Sequence, residues 1–316
     1  MIKPRVLVLG DANVDLVIPL DDRSKGDALS RDSALELHGG GTAANVAVGL
    51  ARLEEQVAFI GTVGDDGYGH WVMSNFGDES VNIEHTGIVR DVYTSMVLAL
   101  IYPDGERGIF VWPDQGGAHT KLSPDSIESE IFETAVWLHT TGLCLREKPV
   151  RSAQLKAMEL AQKAGLKVSL DLNLRLESWG MDSSLKKVFD QALGFSDVLF
   201  GSGLDEIVPY TGETSIQAGA ETLSAGKKTV IARLGGEGAL VVAPGERFTC
   251  PAYDVKVVDT LGAGDAFNGG FIAASLAGKE LKEAARWGNA AAALKIGRSG
   301  ARGLPTRQEL LDLLAI

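Results

Sequence analysis

Residues 259–271 read Asp259-Thr260-Leu261-Gly262-Ala263-Gly264-Asp265-Ala266-Phe267-Asn268-Gly269-Gly270-Phe271. A glycine turn, Gly262-Ala263-Gly264, runs into an acid and then into apolar residues at helical spacing (Ala266, Phe267, Phe271, Ala274), which places a helix start at the turn. The first turn of a helix carries amides without intrahelical partners, and the macrodipole adds partial positive charge there. Small residues let several such amides converge on one set of oxygens, so this end suits a phosphate group. Asp265 is out of place in a plain anion site, because its carboxylate repels the anion. Two readings fit the residues: Asp265 caps the helix, or it takes a proton from a hydroxyl that attacks phosphorus.

Outward from this stretch, short apolar runs recur at 6–9, 57–60, 136–138, 168–170, 198–200 and 230–232. Such runs suit strands buried on both faces of a mostly parallel sheet. Between them lie apolar residues at helical spacing, among them Val46, Leu50 and Leu53, then Leu155, Met158 and Leu160 ahead of the stop Ala164-Gly165. The alternation predicts an open α/β sheet flanked by helices. Thr306 and Glu309 form a capping-box pair ahead of a last helix through Leu310, Leu311 and Leu314. One region departs from this pattern: residues 94–102, the turn Pro103-Asp104-Gly105-Glu106 and residues 108–112 read as a β-hairpin. With further strands from 14–20 and 33–38, it predicts a small β-sheet lid, contributed by about 14–38 and 94–112, on a single domain spanning 1–316.

The 316 residues are 45% hydrophobic and 6% aromatic, enough to bury a sizeable core. Lysine and arginine number 30 against 42 acids, a net charge of −12, which argues against nucleic acid or an anionic membrane surface as partner. Cys144 and Cys250 are the only cysteines and sit in no metal-ligand spacing, as expected of reduced thiols in a cytoplasmic protein. No apolar stretch approaches the ~20 residues of a membrane span. A Gly-x-x-x-x-Gly-Lys-Ser/Thr segment, a His-x-x-x-His pair and a Gly-x-Ser-x-Gly elbow are all missing. Gly39-Gly40-Gly41-Thr42-Ala43-Ala44 has the spacing of a dinucleotide fingerprint, but the first strand ends well before it.

Residues 259–267 resemble the C-terminal signature of the ribokinase-like (PfkB) carbohydrate kinases. Gly39-Gly40-Gly41-Thr42-Ala43-Ala44-Asn45-Val46-Ala47, followed by Gly61-Thr62-Val63-Gly64-Asp65-Asp66-Gly67, resembles their N-terminal signature. The resemblance implies a central α/β domain with a β lid that closes to exclude water. It also implies transfer of the γ-phosphate of ATP, with Mg2+, to a hydroxyl of a small carbohydrate of the ribose, fructose or 2-keto-3-deoxygluconate type. Carried over by position, Asp265 is the catalytic base, and the amides of Gly262, Ala263 and Gly264 form the anion hole. Ser202, Glu206, Arg233, Gly235, Gly238 and Asn289 fall where the family meets the nucleotide. The Asn-x-x-Glu element associated with the metal is altered here, with Gly203 or Ser202 in place of the asparagine and only Glu206 kept.

For the acceptor, Asn13, Asp15, Gly40, Gly41 and Asn45 match the family's sugar site; singly, each is a common turn former. Glu147 stands where ribokinase has a sugar-contacting glutamate. Asp171-Leu172-Asn173-Leu174-Arg175 is instead closer to fructokinases and 2-keto-3-deoxygluconate kinases, and Arg175 suits a phosphate or carboxylate. The resemblance also implies a potassium site at Asp259 and carbonyls near Leu261, Lys295, Arg298 and Gly300, weakened by Leu304 where a polar residue is common. A homodimer through the lid is a further expectation. Two rival readings stand: a nucleoside kinase using Phe110, Trp112 and Trp137 as a base slot, and a non-catalytic sugar- or nucleotide-binding regulator.

Overall fold

The computed structural model describes residues 4–19, 35–101 and 107–315. In chain order its strands and helices are β1 (Val6–Leu9), β2 (Asn13–Pro19), β3 (Glu36–Gly40), α1 (Thr42–Arg52), β4 (Val57–Gly64), α2 (Gly67–Asp78), β5 (Thr86–Val89), β6 (Met96–Ile101), β7 (Arg107–Trp112), β8 (Trp137–Thr141), α3 (Val150–Lys163) and β9 (Lys167–Asp171). There follow α4 (Leu176–Trp179), α5 (Ser183–Phe195), β10 (Val198–Ser202), α6 (Val208–Thr211), α7 (Ile216–Ser224), β11 (Thr229–Arg233), β12 (Ala239–Ala243), β13 (Glu246–Cys250), α8 (Ala263–Leu276), α9 (Leu281–Ile296) and α10 (Arg307–Leu314).

The main sheet runs β13-β12-β11-β10-β9-β8-β1-β4-β5, parallel from β11 through β5, with β12 and β13 antiparallel at one edge. The apolar runs become its central strands because both of their faces are covered. In β1, Val6 and Val8 join the core on the side of α1, α8 and α9, and Leu7 and Leu9 join the core on the side of α3 and α5. All four are fully buried, each worth roughly 1.5–3 kcal/mol relative to exposure. Helix α8 has no polar face. Residues 265–274 are buried throughout, between α1 and α9, so its N-terminus is fixed by packing on all sides.

The second sheet, β3-β2-β6-β7, is the expected lid. Its hairpin pairs Met96 with Trp112 through Ile101 with Arg107. The turn at 103–106, and the portion of 14–38 that falls in 20–34, lie outside the described residues. The lid grows directly from the carboxyl end of β1 through residues 10–12. Because β1 is flanked by β8 on one side and β4 on the other, the chain winds outward in both directions from it. This is the switch point at which open α/β sheets form a crevice, and the lid stands over it.

Candidate active site

Asp265 lies in the first turn of α8, but it is not the cap. Gly262 holds that place, with φ 80° and no side-chain hydrogen bond at the cap. A Cβ at Gly262 would come within 2.6 Å of the Ala301 carbonyl, so only glycine fits that turn. The buried Asp265 carboxylate instead accepts a hydrogen bond across the cleft from Asn45 Nδ2 on α1, at 2.8 Å. Burial pushes its pKa up to about 8. The Asn45 hydrogen bond and Arg233 oppose the rise, and the charges of Asp171 and Asp11 add to it.

Around that carboxylate the loop amides divide into used and unused. Ala263 donates to the Thr260 carbonyl (3.2 Å), Leu261 to Asp259 Oδ1 (3.0 Å) and Gly300 to Asp259 Oδ2 (2.9 Å). Among the described residues, the amides of Gly262, Gly264 and Asp265 have no partner within the protein. Of the expected trio Gly262, Ala263 and Gly264, Ala263 is engaged by a reverse turn to Thr260, while the Asp265 amide lies unpartnered beside the other two.

Beside the loop lies a buried polar cluster. Arg233, at the end of β11, makes a two-pronged contact with Asp171 at the end of β9, at 2.7 and 2.9 Å. The same guanidinium reaches Asn268 Oδ1 (3.1 Å) and the Gly264 carbonyl (3.4 Å), and Asn268 Nδ2 closes the ring on Asp171 (2.6 Å). Burial alone would raise the Asp171 carboxyl, but Arg233 and Asn268 hold it below its ordinary value. Glu206 stands 3.6 Å from Arg233. One of its oxygens accepts from the Leu174 amide and the other from the Ser202 amide, both at 2.7 Å. Burial and the Asp171 charge raise its pKa.

Arg233 and Glu206 were expected to meet nucleotide or metal; here they are bound into the protein. Ser202 Oγ donates to Asp205 (2.8 Å). Gly235 and Gly238 flank the turn from β11 to β12. Asn289 donates its side-chain amide to the carbonyls of Cys250 and Pro251, both at 3.0 Å.

On the lid side, Asn13 pairs with Gly40 across β2 and β3, and Asn13 Nδ2 donates to Asp15 Oδ1 at 2.8 Å. A Cβ on Gly40 would lie 2.4 Å from that same oxygen, so the glycine makes room for the carboxylate. Burial takes the Asp15 pKa up to about 6, against the pull of Asn13 and Arg302. Gly41 turns the chain into α1, whose first amides are capped from a distance by Asp11: Thr42 N–H at 2.9 Å and Ala43 N–H at 3.2 Å. Asn13, Asp15 and Gly40 are thus in mutual contact, and Gly41 leads from them into the helix whose Asn45 reaches Asp265.

Glu147 accepts from the Gly116 amide (3.2 Å) at the foot of the lid. Arg175 is exposed, in a left-handed conformation, with Nε on Asn173 Oδ1 (2.9 Å). Arg302 is a site residue that sequence reasoning missed. Buried, and brought down to about 10 by that burial, it bonds Asn45 Oδ1 (3.3 Å), the Gly40 carbonyl (3.4 Å) and Asn75. Asn45 is therefore gripped between Asp265 and Arg302. Of the three residues named for a base slot, Trp137 is buried in β8, with Nε1 on Ser169, and Trp112 lines a cavity with Trp71 and Tyr93. The strand register puts Phe110 and Trp112 on the lid face opposite Asp15, which aligns with Val97 and Val111.

The pfkB family of carbohydrate kinases matches residues 3–307. The chain belongs to this family. It is a carbohydrate kinase, 31% identical over 318 residues to 5-dehydro-2-deoxygluconokinase of Photobacterium profundum, covering 98% of this chain and 94% of that one. A double-mutant fructokinase from Vibrio cholerae O395, solved with fructose, ADP and potassium, superimposes with a TM-score of 0.84 at 32% identity, covering 99% and 98% of the two chains. Aminoimidazole riboside kinase from Salmonella enterica, solved with its riboside and an ATP analogue, gives 0.80 at 29%, covering 98% and 99%. The kinase aligns with both structures over nearly its whole length.

Proposed function

We propose that this kinase moves the γ-phosphoryl group of ATP to a hydroxyl of a small sugar or sugar acid held between the lid and α8, with Asp265 as the base. The observation that carries the reading is the buried Asp265 carboxylate, bonded to Asn45 rather than to its own helix, beside three unpartnered amides. Asp265 takes the hydroxyl proton as the oxygen attacks, Asn45 keeps the carboxylate aimed, and the amides of Gly262, Gly264 and Asp265 meet the charge on the moving phosphoryl. Those unpartnered donors fit a phosphate chain. Magnesium, bound with ATP, neutralises charge on that chain. Glu206, which fixes the backbone at Ser202 and Leu174, is the carboxylate that would help to order that ion. Asn13, Asp15 and the Gly40 segment offer the acceptor hydroxyls both donors and acceptors.

Coupled ADP release over ribose, fructose, 2-keto-3-deoxygluconate, tagatose and nucleosides tests the reading. One sugar-type acceptor should exceed the rest by at least about tenfold in kcat/KM, roughly 1.4 kcal/mol of transition-state discrimination. Efficient turnover of nucleosides alone, or of nothing, would overturn it. The burial of Trp137 and the placing of Phe110 and Trp112 on the lid face opposite Asp15 favour a sugar over a nucleoside.

The lid also supports a homodimer. Strand β7 is its edge and exposes Ile109, Phe110, Val111 and Trp112 at 45–60%, a long apolar edge of the kind that pairs with another strand. Sedimentation should show a dimer that Val111→Lys with Ile109→Lys converts to monomer; a wild-type monomer at micromolar concentration removes the proposal. The free thiols Cys144 and Cys250 support a cytoplasmic setting, which recovery of the chain in a membrane or periplasmic fraction would contradict.

A further inference from the structure

Of the oxygens expected to gather a potassium ion, those of Asp259 and Arg298 converge, but around a side chain of the protein itself. Lys295, on the last turn of α9 and wholly buried, points its ammonium at the Asp259 carbonyl (2.7 Å) and lies 3.5 Å from the Arg298 carbonyl and 3.9 Å from Asp259 Oδ2. Asp259 in turn holds the amides of Leu261 and Gly300 on its two carboxylate oxygens. The backbone amides of Val258 and Asp259 both bond the Ile296 carbonyl. The loop that ends in the unpartnered amides of Gly262, Gly264 and Asp265 is thus tied at its base to one fixed positive charge.

A buried ammonium persists only where carbonyls and a carboxylate replace its water, and here it takes up oxygens that a monovalent cation would need. We infer that Lys295 is a built-in substitute for a monovalent cation, a positioning residue that orders the phosphate-binding loop so that turnover does not depend on potassium. Ammonium and potassium carry the same charge and share a preference for carbonyl oxygens. Moving that charge onto a side chain removes the need to bind an ion before each catalytic cycle.

The inference rests on the assignment of residues 262–265 as the phosphoryl site, so the experiment separates the two. With the acceptor found by the sugar screen, the wild-type rate is measured in potassium chloride and in choline chloride at equal ionic strength, and the two should agree. Lys295→Ala should lose at least about tenfold in kcat in choline, about 1.4 kcal/mol of barrier, and recover much of it in potassium. Its melting temperature should also rise with potassium while that of the wild type does not. The rescue distinguishes a cation role from a merely structural one.

Several-fold activation of the wild type by potassium overturns the inference, as does a folded Lys295→Ala that stays fully active in choline or that potassium fails to restore. If the alanine variant does not fold, Lys295→Gln carries the rescue arm and the wild-type comparison still decides. Absence of phosphoryl transfer in every salt would instead strike at the function itself.

Discussion

Asp265→Asn is expected to lower kcat by about 10²–10⁴-fold, the usual contribution of a positioned base, with nucleotide affinity nearly unchanged. The amide has the shape of the carboxylate and can still accept from Asn45. The backbone N–H groups of Gly262, Gly264 and the substituted residue stay in place, so the loss falls on proton removal alone. In the wild type, kcat/KM should rise with pH along a limb set by a pKa of about 8, because the proton must leave Asp265 before it can accept another. The variant should lack that limb.

Stability should move the other way. A carboxyl whose folded pKa lies above its unfolded value stabilises most below the unfolded pKa and loses that contribution as pH rises through the folded one. Between about pH 4 and 8 the wild type therefore pays for an acid it keeps buried, and Asp265→Asn should melt at an equal or higher temperature, with a flatter dependence on pH. Near-normal turnover in a folded Asp265→Asn, or a wild-type kcat/KM that does not change with pH across that limb, would refute the base assignment.

The parts of the fold that were legible in the sequence are those encoded by neighbours along the chain. The runs at 6–9, 198–200 and 230–232 are uniformly apolar because helices cover both faces of those strands. The Thr306–Glu309 capping box forms as read, with the Thr306 hydroxyl and the Glu309 carboxylate each meeting the other's amide region. Strands β5 and β13 gave no such signal: each lies at an edge of the main sheet and is partly exposed.

The glycine turn and Asp265 marked the site, but their partners belong to distant segments. Asn45 is 220 residues from Asp265, and Asp171 is 97 from Asn268. Asp11 caps a helix that begins 31 residues later. Such contacts depend on strand order, which no local pattern encodes. Arg302 is the instructive case. An arginine between Ala301 and Gly303 reads as a surface loop, yet the chain folds it beneath Gly40, where a Cβ on the neighbouring Gly39 would strike its guanidinium. A long cation between Gly300 and Gly303 was the one clue along the chain; its closeness to the phosphate loop comes only from the fold.

Arg233→Met should destabilise the fold by about 3–5 kcal/mol at neutral pH, the cost of stranding one partner of a buried ion pair. Asp171 would keep its hydrogen bond from Asn268 but lose the guanidinium that holds its carboxyl down, so burial would drive it up instead. The sign of the pH response then inverts. In the wild type the depressed Asp171 contributes stability above its unfolded pKa and loses it as pH falls through the folded value. In the variant the raised carboxyl costs stability as pH rises. The difference between the two proteins, measured by urea unfolding, should therefore be large at neutral pH and shrink as the pH falls toward the unfolded carboxylate range.

Turnover of Arg233→Met should fall as well, because the guanidinium also holds the Gly264 carbonyl and Asn268, and with them the first turns of the helix that presents Asp265. Adding Asp171→Asn should return part of the stability, since it removes the stranded charge, but should not return activity, since the anchor on Gly264 remains missing. A single variant as stable as the wild type at both ends of that pH range would mean that Asp171 and Arg233 are individually dispensable, and that packing of α8 alone sets the loop.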